Sequence, residues 1–263
     1  MSVSEIILTT HNRHTYLELT LNALLYSLST TPEAKVHIFM SAPTTKVKEV
    51  CYRKAIEHPQ IKLYLIPQNV VFAAANLAVQ LLIPQYITLW EDDFIIPQHT
   101  NTLLPAWNRE FVRQLQSGIE VVSFTTSIEN ISSGFLSWIR DDYPLWSPKK
   151  FKWLNNIPKE TITGNGMTVT LATYLAAVAR GNSSKFATPY YFASDHFLYD
   201  SAKSRQMTSI RGYHIGANQE MDGFPNPADR TRFPAPEDNQ EVHILETGEI
   251  RHFKLSAILN MKA

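Results

Sequence analysis

The chain has 263 residues, 44% hydrophobic and 18% charged, with 24 lysines and arginines against 24 aspartates and glutamates. Such a balance builds a full core and excludes a global attraction to polyanions. The single cysteine, Cys51, rules out an internal disulfide, and no run approaches the ~18 apolar residues of a membrane span.

With no basic region followed by an apolar run at the N-terminus, a soluble, cytoplasmic protein is expected. The first 95 residues alternate strand-like and helix-like patterns, which predicts a parallel α/β sheet. Glu5–Thr10 reads as a buried strand, an apolar run with no polar alternation. A helix follows, with Leu17, Leu21, Leu24, Leu25 and Leu28 on one face and a capping-box spacing from Thr15 to Glu18. Strands are then predicted at Val36–Met40, Ile61–Ile66 and Tyr86–Trp90, with helices near 46–57 and 73–83 between them. Cys51 shares an apolar helical face with Val47, Val50 and Ala55, so it reads as a core thiol.

Residues 126–160 look irregular and aromatic, with Trp138, Tyr143, Trp146 and Trp153. These rings suit sugar or base stacking, and equally a small satellite core. A turn at Gly164-Asn165-Gly166 precedes a strand at Met167–Thr170 and a helix at Leu171–Arg180. A further helix is expected over Asp195–Ala202, and a strand from Met207 to near His214. Residues 218–240 read as a long proline-rich loop or lid, and Val242–Leu245 with Ile250–Phe253 as a hairpin around Thr247-Gly248.

The fourth strand runs directly into Glu91-Asp92-Asp93. Ligands of open parallel sheets bind at the carboxyl ends of strands. Three adjacent carboxylates there repel one another unless solvent or a cation relieves them.

Several segments together resemble the inverting family-two glycosyltransferases of the GT-A fold. Thr9-Thr10-His11-Asn12-Arg13 is similar to that family's first strand-end turn, which holds the base and ribose of a donor nucleotide. Asn69 and Asn76, with Ala73-Ala74-Ala75 between them, resemble its asparagine-bearing helix start. Leu89-Trp90-Glu91-Asp92-Asp93 resembles its metal motif, and Tyr191–Asp195 with Phe197-Leu198 its catalytic-base segment. The similarity covers about residues 3–215. The departures are Met40-Ser41-Ala42-Pro43, where the family has a base-contacting aspartate, Glu91 at the start of the metal motif, and Ser194 in place of an acid. The glutamine-arginine-tryptophan motif of processive synthases is absent.

The resemblance implies a three-layer α/β/α, Rossmann-like GT-A domain with a mostly parallel central sheet. Residues 1–97 would form the nucleotide-sugar-binding half, 98–217 the acceptor and catalytic half, and 218–263 a C-terminal loop and hairpin. It implies a metal-dependent transferase that moves a sugar from a nucleotide-diphosphate donor to an acceptor hydroxyl. Thr10, His11, Asn12, Arg13, Asn69, Asn76, Glu91 and Asp92 would contact the donor. Asp93, with Asp92 and His214, would hold Mn2+ or Mg2+, hard cations that favour oxygen ligands. Asp195 would be the base of an inverting reaction, although an acid at a helix start is also a cap. Arg230 or Arg232 would reach the diphosphate if their loop closes.

Two other readings compete: a non-catalytic sugar-nucleotide-binding relative, favoured by the altered second-strand end Met40-Ser41-Ala42-Pro43 and by Ser194, and a sugar-nucleotide nucleotidyltransferase, disfavoured by the glycine-free turn at 9–13. The acceptor would be a glycan, with a lipid-linked sugar, a protein side chain or a modified base also open; Lys149, Lys150 and Lys152 around Phe151 and Trp153 would suit nucleic acid, and equally read as an ordinary solvated loop with buried aromatics.

Overall fold

A computed structural model of the protein describes residues 2–70, 73–96, 106–128, 153–155, 166–183, 203–215 and 236–263. Strand β1 (Glu5–Thr10) pairs in parallel with β2 (Val36–Ser41) and with β4 (Tyr86–Glu91), and β2 pairs in parallel with β3 (Ile61–Ile66). The sheet continues from β4 through β8 (Met167–Thr170), β6 (Val121–Ile128) and β9 (Ser204–His214) to the short β5 (Phe94–Ile95). Strand β8 is antiparallel to both β4 and β6, while β6 and β9 are parallel. At the far edge β10 (Asn239–Ile244) and β11 (Glu249–Lys254) form a hairpin whose first strand pairs antiparallel with β3. Strand β7 (Trp153–Asn155) pairs with β9 off this path.

The central strands are buried on both faces because helices cover both. On one face, Ile6, Leu8, Ile38, Met40 and Trp90 pack against α1 (His14–Ser27), α2 (Thr45–Glu57) and α4 (Trp107–Gln116). On the other, Ile7, Phe39, Ile87 and Leu89 pack against α3 (Ala74–Leu82), α5 (Leu171–Ser183) and a 3-10 helix at Leu255–Asn260. Each fully buried large apolar side chain contributes roughly 1.5–3 kcal/mol. The core is densest beside the end of β4. There Trp90 meets Phe94 edge-on at 4.9 Å between centroids, and Trp107 and Phe111 close on Phe124 at 5.2 and 4.7 Å.

The three-layer arrangement with a mostly parallel sheet agrees with the sequence reading, and Cys51 is a fully buried core thiol. The structure differs in several details. No capping box starts α1: its N-cap is Arg13, without a side-chain cap bond, and Glu18 instead pairs with Arg53 of α2. The cap signal fails because Thr15 already lies inside the helix. Strand β9 begins at Ser204 and β10 at Asn239, earlier than periodicity indicated. Strand β7 falls inside the stretch read as irregular. Among the described residues no helix is long and apolar enough to cross a membrane.

Candidate donor-binding site

The carboxyl ends of β1 and β4 lie side by side, with Thr9 in register with Glu91. The chain beyond β4 turns at Asp92-Asp93 and returns as β5. Polar contacts fix that turn on every side. Thr20 of α1 donates its hydroxyl to the Asp92 carbonyl at 3.0 Å, and the Ile215 amide donates to the Asp93 carbonyl at 2.8 Å. The Trp90 indole N–H donates to the Phe94 carbonyl at 3.1 Å, and Gly166 N–H to the Leu89 carbonyl at 3.0 Å. Phe94 itself is clamped by glycines. A Cβ on Gly212 would lie 2.1 Å from its ring, and one on Gly166 2.6 Å.

Both aspartates are buried, Asp93 completely. Thr10 donates to Asp92 Oδ2 at 2.8 Å. Arg13 reaches across the gap with both terminal nitrogens, Nη2 to Asp92 Oδ1 at 2.6 Å and Nη1 to Asp93 Oδ2 at 2.5 Å. The planar guanidinium suits this bridging, since its N–H groups project as a rigid fork. Burial works against the guanidinium charge, but Asp92, Asp93 and Glu91 outweigh it and hold the Arg13 pKa above its ordinary value. Burial raises the Asp92 carboxyl above the usual range, Arg13 opposes that rise, and Asp93 adds to it. Taking either partner from such a buried pair typically costs about 3–5 kcal/mol.

The neighbouring loop is tied to this cluster. The His11 ring N–H at Nδ1 donates to the Ser41 carbonyl at 2.5 Å, and the Thr44 amide donates to the His11 carbonyl at 3.3 Å. Ser41 hydroxyl donates to the Gln68 carbonyl at 3.1 Å and accepts from the Val70 amide at 2.7 Å. Ser41 therefore fastens the β3–α3 loop to the end of β2. Asn12 carries a buried side-chain oxygen with no hydrogen-bond partner among the described residues.

No family model matches the sequence, and no curated protein matches it. Among solved structures the chain is similar to S. aureus TarS, at 13% identity over 81% of this chain and 36% of that one, with a TM-score of 0.50. A structure of TarS 1–349 with UDP-GlcNAc is similar at 13% identity, covering 80% of this chain and 58% of that one, TM-score 0.48. The mannosyltransferase PcManGT from Pyrobaculum calidifontis, in complex with GDP-Man and Mn2+, is similar at 17% identity over 47% of this chain and 35% of that one, TM-score 0.37. The chain has the GT-A fold. It spans 60% of the TarS 1–349 fragment and 36% of the longer TarS chain, so the likeness is one of fold.

In this GT-A frame, Thr10, Arg13, Asp92 and Asp93 form one bonded cluster, with Glu91 at the end of the adjoining strand. Asn69 sits exposed in the loop after β3. Asn76 is fully buried in α3, where its Oδ1 accepts from the Tyr174 hydroxyl of α5 at 2.7 Å. Of His214 the backbone is described; it pairs with Phe94, and the next residue bonds Asp93. Asp195, Arg230, Arg232, Trp138, Tyr143, Trp146, Lys149, Lys150, Phe151 and Lys152 lie outside the described residues. Sequence reasoning missed Thr20, whose hydroxyl holds the Asp92 carbonyl. Thr20 does carry a signal, as a hydroxyl set among leucines on the buried stripe of α1.

Proposed function

We propose that this chain is a glycosyltransferase that moves a sugar from a nucleotide-diphosphate donor to an acceptor hydroxyl. The donor would lie along the rim formed by β1, β2 and β4. The observation that carries this reading is the convergence of Thr10, Arg13, Asp92 and Asp93 on an anchored turn at the carboxyl end of a parallel sheet. A rigid turn suits group transfer, because aligning reactants in advance supplies much of the rate. The buried Asn12 side-chain oxygen would accept from a ribose hydroxyl, and His11, bonded to the Ser41 carbonyl, would border the base.

Among the described residues no group of three or more His, Cys, Asp or Glu is arranged around a metal ion. Mg2+ and Mn2+ nevertheless need only one or two protein carboxylates, with water and substrate phosphate completing the shell. The donor set fits such a cation in kind, because Asp92 and Asp93 offer hard oxygens and one guanidinium leaves the pair with net negative charge. Asp93 and Asp92 would hold it, with Glu91 and His214 near. When bound it would neutralise charge on the departing diphosphate. Arg13 would pair with the donor phosphates, and Asp195 would take the proton of the attacking hydroxyl in an inverting transfer. A glycan hydroxyl is the acceptor best suited to a chain with balanced charge.

Ser41 favours a second reading, a sugar-nucleotide-binding relative without turnover, because both its hydrogen-bonding roles are spent on the protein. One experiment separates the two. UDP- and GDP-sugars, each with Mn2+ or Mg2+, are tested for thermal stabilisation and for release of nucleoside diphosphate. A donor at about 100 times its Kd stabilises by roughly 2.7 kcal/mol. Stabilisation with release, both lost in Asp93→Ala, supports the transferase. Stabilisation without release supports the binding module, and no response to any donor overturns both.

A further inference from the structure

Arg13 holds the two carboxylates in a way that bears on how a cation reaches them. Its Nη1 and Nη2 take one oxygen from each aspartate, and Thr10 takes the second oxygen of Asp92. The Arg13 side chain keeps 24% exposure, against 5% for Asp92 and 0% for Asp93. Solvent therefore meets the guanidinium before it meets the acids. While Arg13 holds Asp92 Oδ1 and Asp93 Oδ2, its positive charge opposes the approach of a divalent cation to them. Nor does the closed cluster attract a diphosphate, because two carboxylates outweigh one guanidinium.

We propose that Arg13 is a positioning residue that acts as placeholder for the cation. It closes the Asp92–Asp93 pair until a divalent ion displaces it, and the released guanidinium then turns to the donor diphosphate. This rests on the reading of the site as a cation-dependent donor site. Both charge changes favour joint occupancy: the cation satisfies the acids, and the freed Arg13 meets the phosphate. Cation and nucleoside diphosphate thus bind with positive coupling, and linkage requires each to tighten the other by the same factor, typically about 5–150-fold.

The test measures Mn2+ binding by the loss of its free-ion electron paramagnetic resonance signal, with and without UDP or GDP. The full chain is compared with Arg13→Ala and Arg13→Lys. Wild type should bind Mn2+ weakly alone and at least about fivefold more tightly with the matching nucleoside diphosphate. Arg13→Ala should bind Mn2+ alone more tightly than wild type, lose most of that coupling, and melt at a lower temperature that Mn2+ restores. Arg13→Lys, a point charge that cannot fork across both acids, should fall between them. If Arg13→Ala does not fold, Arg13→Lys decides: tighter Mn2+ binding with weaker coupling supports the placeholder. Unchanged or weaker Mn2+ binding in the folded variants, with coupling intact, overturns it and leaves the donor-site reading standing. Absence of Mn2+ binding to every form, with or without UDP and GDP, overturns the cation-dependent reading together with this inference.

Discussion

Gly212 offers a way to disturb the acidic turn without touching an acid. It lies on β9, two residues before the register partner of Phe94, and faces the ring of Phe94, the residue immediately after Asp93. An added Cβ would stand 2.1 Å from Phe94 Cζ and 2.4 Å from Cε2, far inside the contact distance of about 3.5–4 Å for carbon atoms. The ring cannot retreat freely, since Trp90 packs edge-on to it at 4.9 Å and Gly166 also sits against it. Overpacking of this kind costs about 1–3 kcal/mol. For a chain of this size that corresponds to a fall in Tm of about 2–4 °C per kcal/mol. Gly212→Ala is therefore expected to melt lower and to lose donor turnover beyond its loss of folded protein. Phe94→Leu removes the ring atoms that clash, so the double variant should be less destabilised than the two single changes added together, with a coupling of about 0.5–3 kcal/mol. Calorimetry and a donor-release assay on all four proteins measure the cycle. Additive losses, or a Gly212→Ala protein with wild-type Tm and turnover, would refute the clamp.

Tyr174→Phe removes the donor that satisfies the fully buried Asn76 oxygen, and is expected to cost about 1–3 kcal/mol in denaturant unfolding while leaving donor Kd unchanged. A matching loss of donor affinity would instead return Asn76 to the donor site. Ile83 ends α3 in the left-handed region at φ 45°, 61% exposed, and precedes Pro84. A β-branched side chain there is strained by roughly 1–2 kcal/mol, so Ile83→Gly should raise Tm. Glu5 accepts a hydrogen bond from His37 at 2.8 Å, which holds its pKa below the ordinary 4.5. Its stabilising contribution is present above that value and lost as pH falls through the lowered pKa. Glu5→Gln should therefore lower stability at neutral pH and flatten the acid limb of a stability–pH profile, the variant and the wild type converging as pH falls.

The layered fold was legible because burial on two faces writes itself into composition. Strands such as Ile61–Ile66 and helices such as Leu17–Leu28 announce themselves by periodicity. The helix Trp107–Gln116 and the strand Val121–Ile128 were not anticipated, although Trp107, Phe111 and Leu115 recur four residues apart on the helix. What periodicity did not give was the start of α1. That helix begins where Arg13 leaves the backbone path to reach the carboxylates, and no local capping rule anticipates a side chain engaged 80 residues away.

The site divides along the same line. Position at a strand end is a topological property, so Thr10, Arg13, Asp92 and Asp93 could be placed at one rim from the order of elements alone. Partnership is not. Asn76 reads identically whether it faces a ribose or Tyr174, its partner 98 residues on, and the hydroxyl of Thr20 bonds a carbonyl 72 residues distant. Arg13 is the sharpest case. Sequence offers it as a phosphate ligand, and the fold gives it two aspartates instead. Both can hold only if Arg13 exchanges partners when the donor arrives. A single substitution at Arg13 mixes loss of phosphate contact with release of the acids. Only measurements that separate cation binding from nucleotide binding can tell the two apart.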